Sequence, residues 1–217
     1  MIERYIEHTL LKPEATTQDI IKLCQEARKY NFLGVCVNPC FVPLVKHLLA
    51  GTEIKTVTVV GFPLGCDEPE IKAEAARRAV RNGADEVDMV INVGALKGRD
   101  NAYVVEDIRQ VAAAAGDAPV KVIIETCLLN EEEKIRACRM IAEAGAAFVK
   151  TSTGFNKGGA MAEDVSLLSG EAKKLGLRVK AAGGIRDYVT AKGMLEAGAE
   201  RLGYSAGVQL VQEEARA

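Results

Sequence analysis

A chain of 217 residues, 48% of them apolar, is long enough to bury the core of one large domain, and disorder is excluded as its main state. A formal charge of −2 excludes a general basic field for nucleic acid, and no Lys/Arg block supplies a local one. No apolar run reaches the roughly 20 residues of a membrane helix, so neither nucleic acid nor membrane is expected as a partner.

In chain order, eight β-rich runs alternate with amphipathic helical stretches. The runs are Tyr5 to Leu10, Leu33 to Asn38, Lys55 to Gly61, Glu86 to Asn92, Val120 to Thr126, Ala147 to Thr151, Arg178 to Gly183 and Arg201 to Ser205. The first is short and polar at Glu7 and His8. Before the sixth, Asn130 followed by Glu131, Glu132 and Glu133 predicts a capped helix with an apolar stripe through Ile135, Cys138 and Ala142. Three stretches, Asn82-Gly83-Ala84, Ala144-Gly145-Ala146 and Ala197-Gly198-Ala199, lead directly into a strand. Glycine at a helix C′ position takes the left-handed conformation, so these read as one helix-to-strand joint used three times.

Eight such units in a little over 200 residues, with no linker or change of composition, predict a single-domain (β/α)8 TIM barrel spanning residues 1–217. A doubly wound open sheet is the alternative, but its glycine-rich turn is missing after the first strand, where Lys12-Pro13-Glu14-Ala15 stands instead. Cys24, Cys36, Cys40, Cys66, Cys127 and Cys138 form no C-x-x-C pair, and Met1-Ile2-Glu3-Arg4 does not open a secretory signal. They read as reduced, mostly buried thiols of a cytoplasmic protein. His8 and His47, the two histidines, read as surface or hydrogen-bonded structural residues, so no metal and no cofactor is expected.

In a barrel, side chains near the C-terminal strand ends face the reaction centre. Alternation puts Phe148, Lys150 and Ser152 on one face, Arg178, Lys180 and Ala182 on another, and Asp88, Val90 and Asn92 on a third. If those faces point inward, one carboxylate and two ammonium groups meet among aliphatics, either as a buried structural ion pair or as chemistry. Lys150 and Lys180 each precede a turn suited to close backbone approach, Thr151-Ser152-Thr153-Gly154 and Ala182-Gly183-Gly184. Two lysines in one apolar site raise the cost of charging both, and the deprotonated one becomes a nucleophile for a carbonyl carbon. On this reading Lys180 keeps its charge and depresses Lys150, while Asp88 shuttles protons. Lys121 reads as a snorkelling residue on the N-terminal, stability face. Gly183-Gly184 and Gly203-Tyr204-Ser205-Ala206-Gly207 fall where barrels bind phosphate through backbone N–H groups, so the expected partner is a small phosphorylated compound.

The chain resembles the deoxyribose-phosphate aldolase family. The motifs are His8-Thr9-Leu10-Leu11-Lys12-Pro13, Val35-Cys36-Val37-Asn38-Pro39, Gly61-Phe62-Pro63-Leu64-Gly65, Glu86 to Asn92, Val122-Ile123-Ile124-Glu125-Thr126, Phe148 to Gly154 and Lys180 to Ile185. The resemblance implies a (β/α)8 fold and reversible cleavage of 2-deoxy-D-ribose 5-phosphate into acetaldehyde and D-glyceraldehyde 3-phosphate, within deoxyribose phosphate catabolism. It implies Lys150 as the Schiff-base lysine and Asp88 with Lys180 as the proton-transfer pair. It places Gly154, Gly183, Gly184 and Ser205 at the substrate phosphate, and Thr9 and Cys36 on the pocket wall. A homodimer or homotetramer is also implied.

Three positions depart from the family pattern. Glu7 replaces the usual aspartate, Tyr204 stands where a small residue is common, and the tail Gln212 to Ala217 lacks a terminal tyrosine. A Schiff-base aldolase for another sugar phosphate and a non-catalytic sugar-phosphate-binding barrel are the alternatives.

Overall fold

The computed structural model describes residues 1–216. Among them, eight parallel strands close into one barrel, each pairing with the next and the last with the first. The strands are β1 (Ile6–Leu10), β2 (Gly34–Val37), β3 (Lys55–Val60), β4 (Glu86–Val90), β5 (Val120–Ile123), β6 (Phe148–Lys150), β7 (Arg178–Ala182) and β8 (Arg201–Tyr204). The outer wall is built from α1 (Thr17–Tyr30), α2 (Val42–Leu48), α3 (Pro69–Arg81), α4 (Val93–Lys97), α5 (Asn101–Ala115), α6 (Glu131–Glu143), α7 (Ala162–Leu175), α8 (Tyr188–Glu196) and α9 (Gly207–Glu214). This is the (β/α)8 TIM barrel read from the alternation of elements.

Local sequence accounts for many of the boundaries. The Asn130 side chain accepts from the Glu133 N–H, and the Glu133 carboxylate accepts from the Asn130 N–H, so the predicted capping box starts α6. Thr16 and Asp19 start α1 in the same way. Gly83, Gly145 and Gly198 follow the last helical turns with φ of 107°, 83° and 107°, which makes the three joints one device, as the repeat predicted. The buried face of α6 lies through Lys134, Ala137, Cys138 and Ile141, so Ile135 and Ala142 stand at its edge rather than its centre.

All eight strands are shorter than predicted. Residues Ile2–Tyr5 wind into a 3₁₀ turn, so Tyr5 is outside β1. Asn92 leaves the sheet to cap α4, its side chain accepting from the Ala95 N–H at 3.0 Å, and so does not share a strand face with Asp88. Glu125 takes φ 56° beyond β5.

The outward strand residues, such as Val35, Val87, Val122, Val149 and Leu202, pack with the helices in one apolar shell. Burying an isoleucine such as Ile141 or Ile108 there contributes about 1.5–3 kcal/mol. The inward residues are far less apolar, and this sets up the site. Three cysteines, Cys24, Cys36 and Cys138, are buried, while Cys40, Cys66 and Cys127 are exposed, fewer buried thiols than expected. Among the described residues no helix is long and apolar enough to cross a membrane, and no group of three or more His, Cys, Asp or Glu is placed to hold a metal ion.

Candidate active site

Parallel register carries the charged side chains to one level inside the barrel. Asp88 is registered with Lys121, Ile123 with Lys150, Lys150 with Lys180, and Glu7 with Gly203. Strand alternation then turns Glu7, Asp88, Lys121, Lys150 and Lys180 to the same interior. All five are fully buried or nearly so, Lys150 being 3% exposed.

The Asp88 carboxylate is the hub. Its Oδ1 accepts from Lys121 Nζ at 2.8 Å, and its Oδ2 accepts from Lys150 Nζ at 2.7 Å and from Lys180 Nζ at 2.6 Å. Lys180 also donates to Glu7, and Lys121 lies 2.6 Å from Glu86 and 3.5 Å from Glu7. At the barrel floor the Arg178 guanidinium lies 3.9 Å from the Phe148 ring centroid, and Arg201 approaches Glu7 at 3.9 Å.

This corrects the reading of Lys121 as a snorkelling residue. Its strand position is N-terminal, but its side chain is wholly buried and reaches up to Asp88. It also enlarges the expected triad. Glu7, one methylene longer than the aspartate of the family pattern, reaches Lys180 and Lys121.

Charge balance distinguishes the three amines. Glu7, Glu86 and Asp88 are already matched by Lys121, Lys180 and Arg201, so an ammonium at Lys150 has no counter-ion of its own and shares Asp88 Oδ2. Burial depresses the Lys150 pKa most; the Asp88 carboxylate works against that, Lys180 adds to it, and the net direction is downward. Both causes expected from the sequence, an apolar site and a cationic neighbour, act on Lys150, and burial is the larger. For Lys180, burial alone would lower the pKa, yet Asp88 and Glu7 together raise it well above the lysine range. Burial likewise penalises the Asp88 anion, but Lys121, Lys150 and Lys180 hold its carboxyl well below the usual range.

Above this network opens a cavity of about 210 Å³ that reaches Lys150. Its wall includes Thr9, Lys150, Gly154, Gly183, Gly184 and Ser205, all expected there. Cys36 is not on it. It is wholly buried and packs with Leu11, Val57 and Val59, and burial pushes its thiol up to about 11, so it is a small apolar filler rather than a wall residue. Asp88 and Lys180 lie beneath the floor. A roomier groove of about 450 Å³ runs against α1 and α9; it shares Thr9, Leu10 and Ser205 with this cavity but contains none of these lysines.

The turns on the wall are held by residues the sequence reading passed over. Glu125 accepts from the N–H and hydroxyl of Thr153, fixing the turn that follows Lys150. The Ala160 N–H donates to the Gly183 carbonyl at 2.8 Å, and a Cβ on Gly159 would come within 2.3 Å of that oxygen, so glycine is required for this loop to lie on the Gly183-Gly184 turn. Gly154, Gly183 and Gly184 have φ of 82°, 81° and 73°, the left-handed region that glycine adopts most readily, and all three line the cavity. The Gly158-Gly159 pair was the available signal. Tyr204 is 3% exposed and packs into the shell between strands and helices, although it also borders the cavity.

A sequence profile of the DeoC/LacD family aldolases matches residues 4–213. The chain belongs to the DeoC/LacD aldolase family. It is therefore an aldolase, and so a lyase. Among similar DeoC/LacD aldolases, the deoxyribose-phosphate aldolase of Clostridium tetani is 55% identical, over 98% of each chain. That of Thermococcus gammatolerans is also 55% identical, covering 97% of this chain and 95% of the relative. The tetrameric structure of deoxyribose phosphate aldolase from Aeropyrum pernix superposes with a TM-score of 0.92 at 32% identity, covering 99% of this chain and 91% of that one.

Proposed function

We propose that this DeoC/LacD aldolase cleaves 2-deoxy-D-ribose 5-phosphate reversibly into acetaldehyde and D-glyceraldehyde 3-phosphate through a Schiff base on Lys150. The observation that carries the mechanism is the buried Lys150 amine, on the wall of the cavity and without a carboxylate of its own. The substrate assignment draws on the curated relatives.

The neutral Lys150 Nζ attacks C1 of the open-chain sugar, and its electron pair forms the new C–N bond while the carbonyl oxygen takes a proton. Loss of water leaves an iminium ion. Removal of the C3 hydroxyl proton lets the C2–C3 bond break, its electron pair moving to the iminium nitrogen as an enamine while C3 leaves as the aldehyde of glyceraldehyde 3-phosphate. Protonation of the enamine at C2 and hydrolysis release acetaldehyde and restore the amine. The distances from Asp88 to Lys150 Nζ, 2.7 Å, and to Lys180 Nζ, 2.6 Å, support a role for Asp88 in exchanging protons between them. Thr9, Gly154, Gly183, Gly184 and Ser205 bind the sugar and its phosphate. Deoxyribose phosphate catabolism in the cytoplasm, as a homodimer or homotetramer, fits this assignment.

The test is turnover. Purified protein given deoxyribose 5-phosphate releases equal amounts of acetaldehyde and glyceraldehyde 3-phosphate; cleavage of a longer ketose phosphate in its place would assign another substrate.

The pH profile tests the roles of the two lysines. Lys180→Met removes a cation that depresses Lys150 and leaves Asp88 freer to pair with it, and both effects raise the Lys150 pKa. The ascending limb of kcat/KM, where Lys150 loses its proton, therefore moves to higher pH by about one unit or more. Titration of Lys150 by carbon-13 methyl labelling follows this shift separately from the fall in rate.

A further inference from the structure

Among the described residues, the cavity wall contains no carboxylate, and its lysines are Lys12 and Lys150. Lys150 is held at the floor by Asp88 and, on the aldolase reading, serves as the nucleophile. Lys12 follows β1, is exposed, and among the described residues makes no salt bridge or side-chain hydrogen bond. Its base is fixed even though its ammonium is free. Asn38 Nδ2 donates to the Leu11 carbonyl at 3.2 Å, the Ala15 N–H donates to the Lys12 carbonyl at 3.2 Å, and Pro13 disfavours a helical backbone at Lys12.

Backbone amides of the Gly154 and Gly183-Gly184 turns supply partial positive charge, whereas a phosphate dianion carries nearly two full negative charges. Lys157 and Arg186, the other cations close in sequence to those turns, are not on the cavity wall. Phe155, also on the wall, is apolar and packs edge-on against Phe62 at 5.2 Å.

We propose that Lys12 is the side-chain cation that pairs with the substrate phosphate and sets the preference for phosphorylated over unphosphorylated acceptors. It is a specificity-determining residue. The inference rests on the aldolase reading, and it concerns binding rather than the chemical step.

The test compares D-glyceraldehyde 3-phosphate with unphosphorylated D-glyceraldehyde in acetaldehyde addition, using the native protein, Lys12→Gln and Lys12→Glu. For the phosphorylated acceptor, KM rises about tenfold in Lys12→Gln and further in Lys12→Glu, with kcat within about twofold. For the unphosphorylated acceptor, kcat/KM stays unchanged. Added salt raises the phosphorylated KM of the native protein more than that of Lys12→Gln. An unchanged preference, or equal losses on both acceptors, overturns the role of Lys12 while leaving the aldolase reading intact. Failure of the native protein to join acetaldehyde to either acceptor would instead remove the reading on which it rests.

Discussion

Asp88→Leu is expected to lower stability by about 3–5 kcal/mol, because it strips the shared counter-ion from three buried amines. Lys150 escapes by shedding its proton, but Lys121 and Lys180 are left competing for Glu7 and Glu86. For a chain of 217 residues this corresponds to a fall in Tm of roughly 10 °C. Asp88→Asn keeps the shape and one acceptor oxygen without the charge, so it recovers only part of that loss. Thermal unfolding of both variants checks the order native, Asn, Leu. A tie between Asn and Leu would assign the role of Asp88 to hydrogen bonding rather than charge. The sign with pH follows from the depressed Asp88 pKa. Its stabilisation is present above the usual carboxylate range and is lost as pH falls through its lowered value, so the Tm difference between native and Asp88→Asn narrows in acid.

Lys150→Ala is expected to reduce kcat/KM for deoxyribose 5-phosphate by about 10⁴-fold or more while the barrel stays folded. Removing the amine takes away the nucleophile but no carboxylate, and Asp88 keeps Lys121 and Lys180 as partners. Retention of a normal Tm together with loss of turnover separates the chemical role of Lys150 from a structural one. Lys150→Arg preserves a cation but supplies no free amine, so it is as inactive as alanine. Substantial activity in either variant would place the nucleophile elsewhere.

The architecture was readable because each unit repeats the same local chemistry. The glycine joints at Gly83, Gly145 and Gly198 and the Asn130 capping box are short-range signals that the fold leaves in place. Strand ends were harder, since Asn92 and Glu125 look like continuing strand and are drawn off by long-range or capping hydrogen bonds. Within the site, alternation brought Lys150, Lys180 and Asp88 together. It does not show how far a long side chain climbs inside a barrel, and so strand position alone leaves Lys121 at the floor although its ammonium reaches Asp88. Glu7 was hidden in the same way, as a polar residue that weakened the first strand until its partner Lys180, 173 positions away, was in view. Cys36, placed on the pocket wall by its motif, is instead buried in a cluster with Leu11, Val57 and Val59, a packing relation that no single segment contains.

Borohydride reduction in the presence of acetaldehyde, followed by peptide mass mapping, tests most directly whether the buried amine at position 150 is free to capture an aldehyde. An N-ethyl group on Lys150, formed near neutral pH and absent from Lys121 and Lys180, is the predicted result. A folded, soluble protein that yields no adduct, or yields one on Lys180 instead, would contradict it.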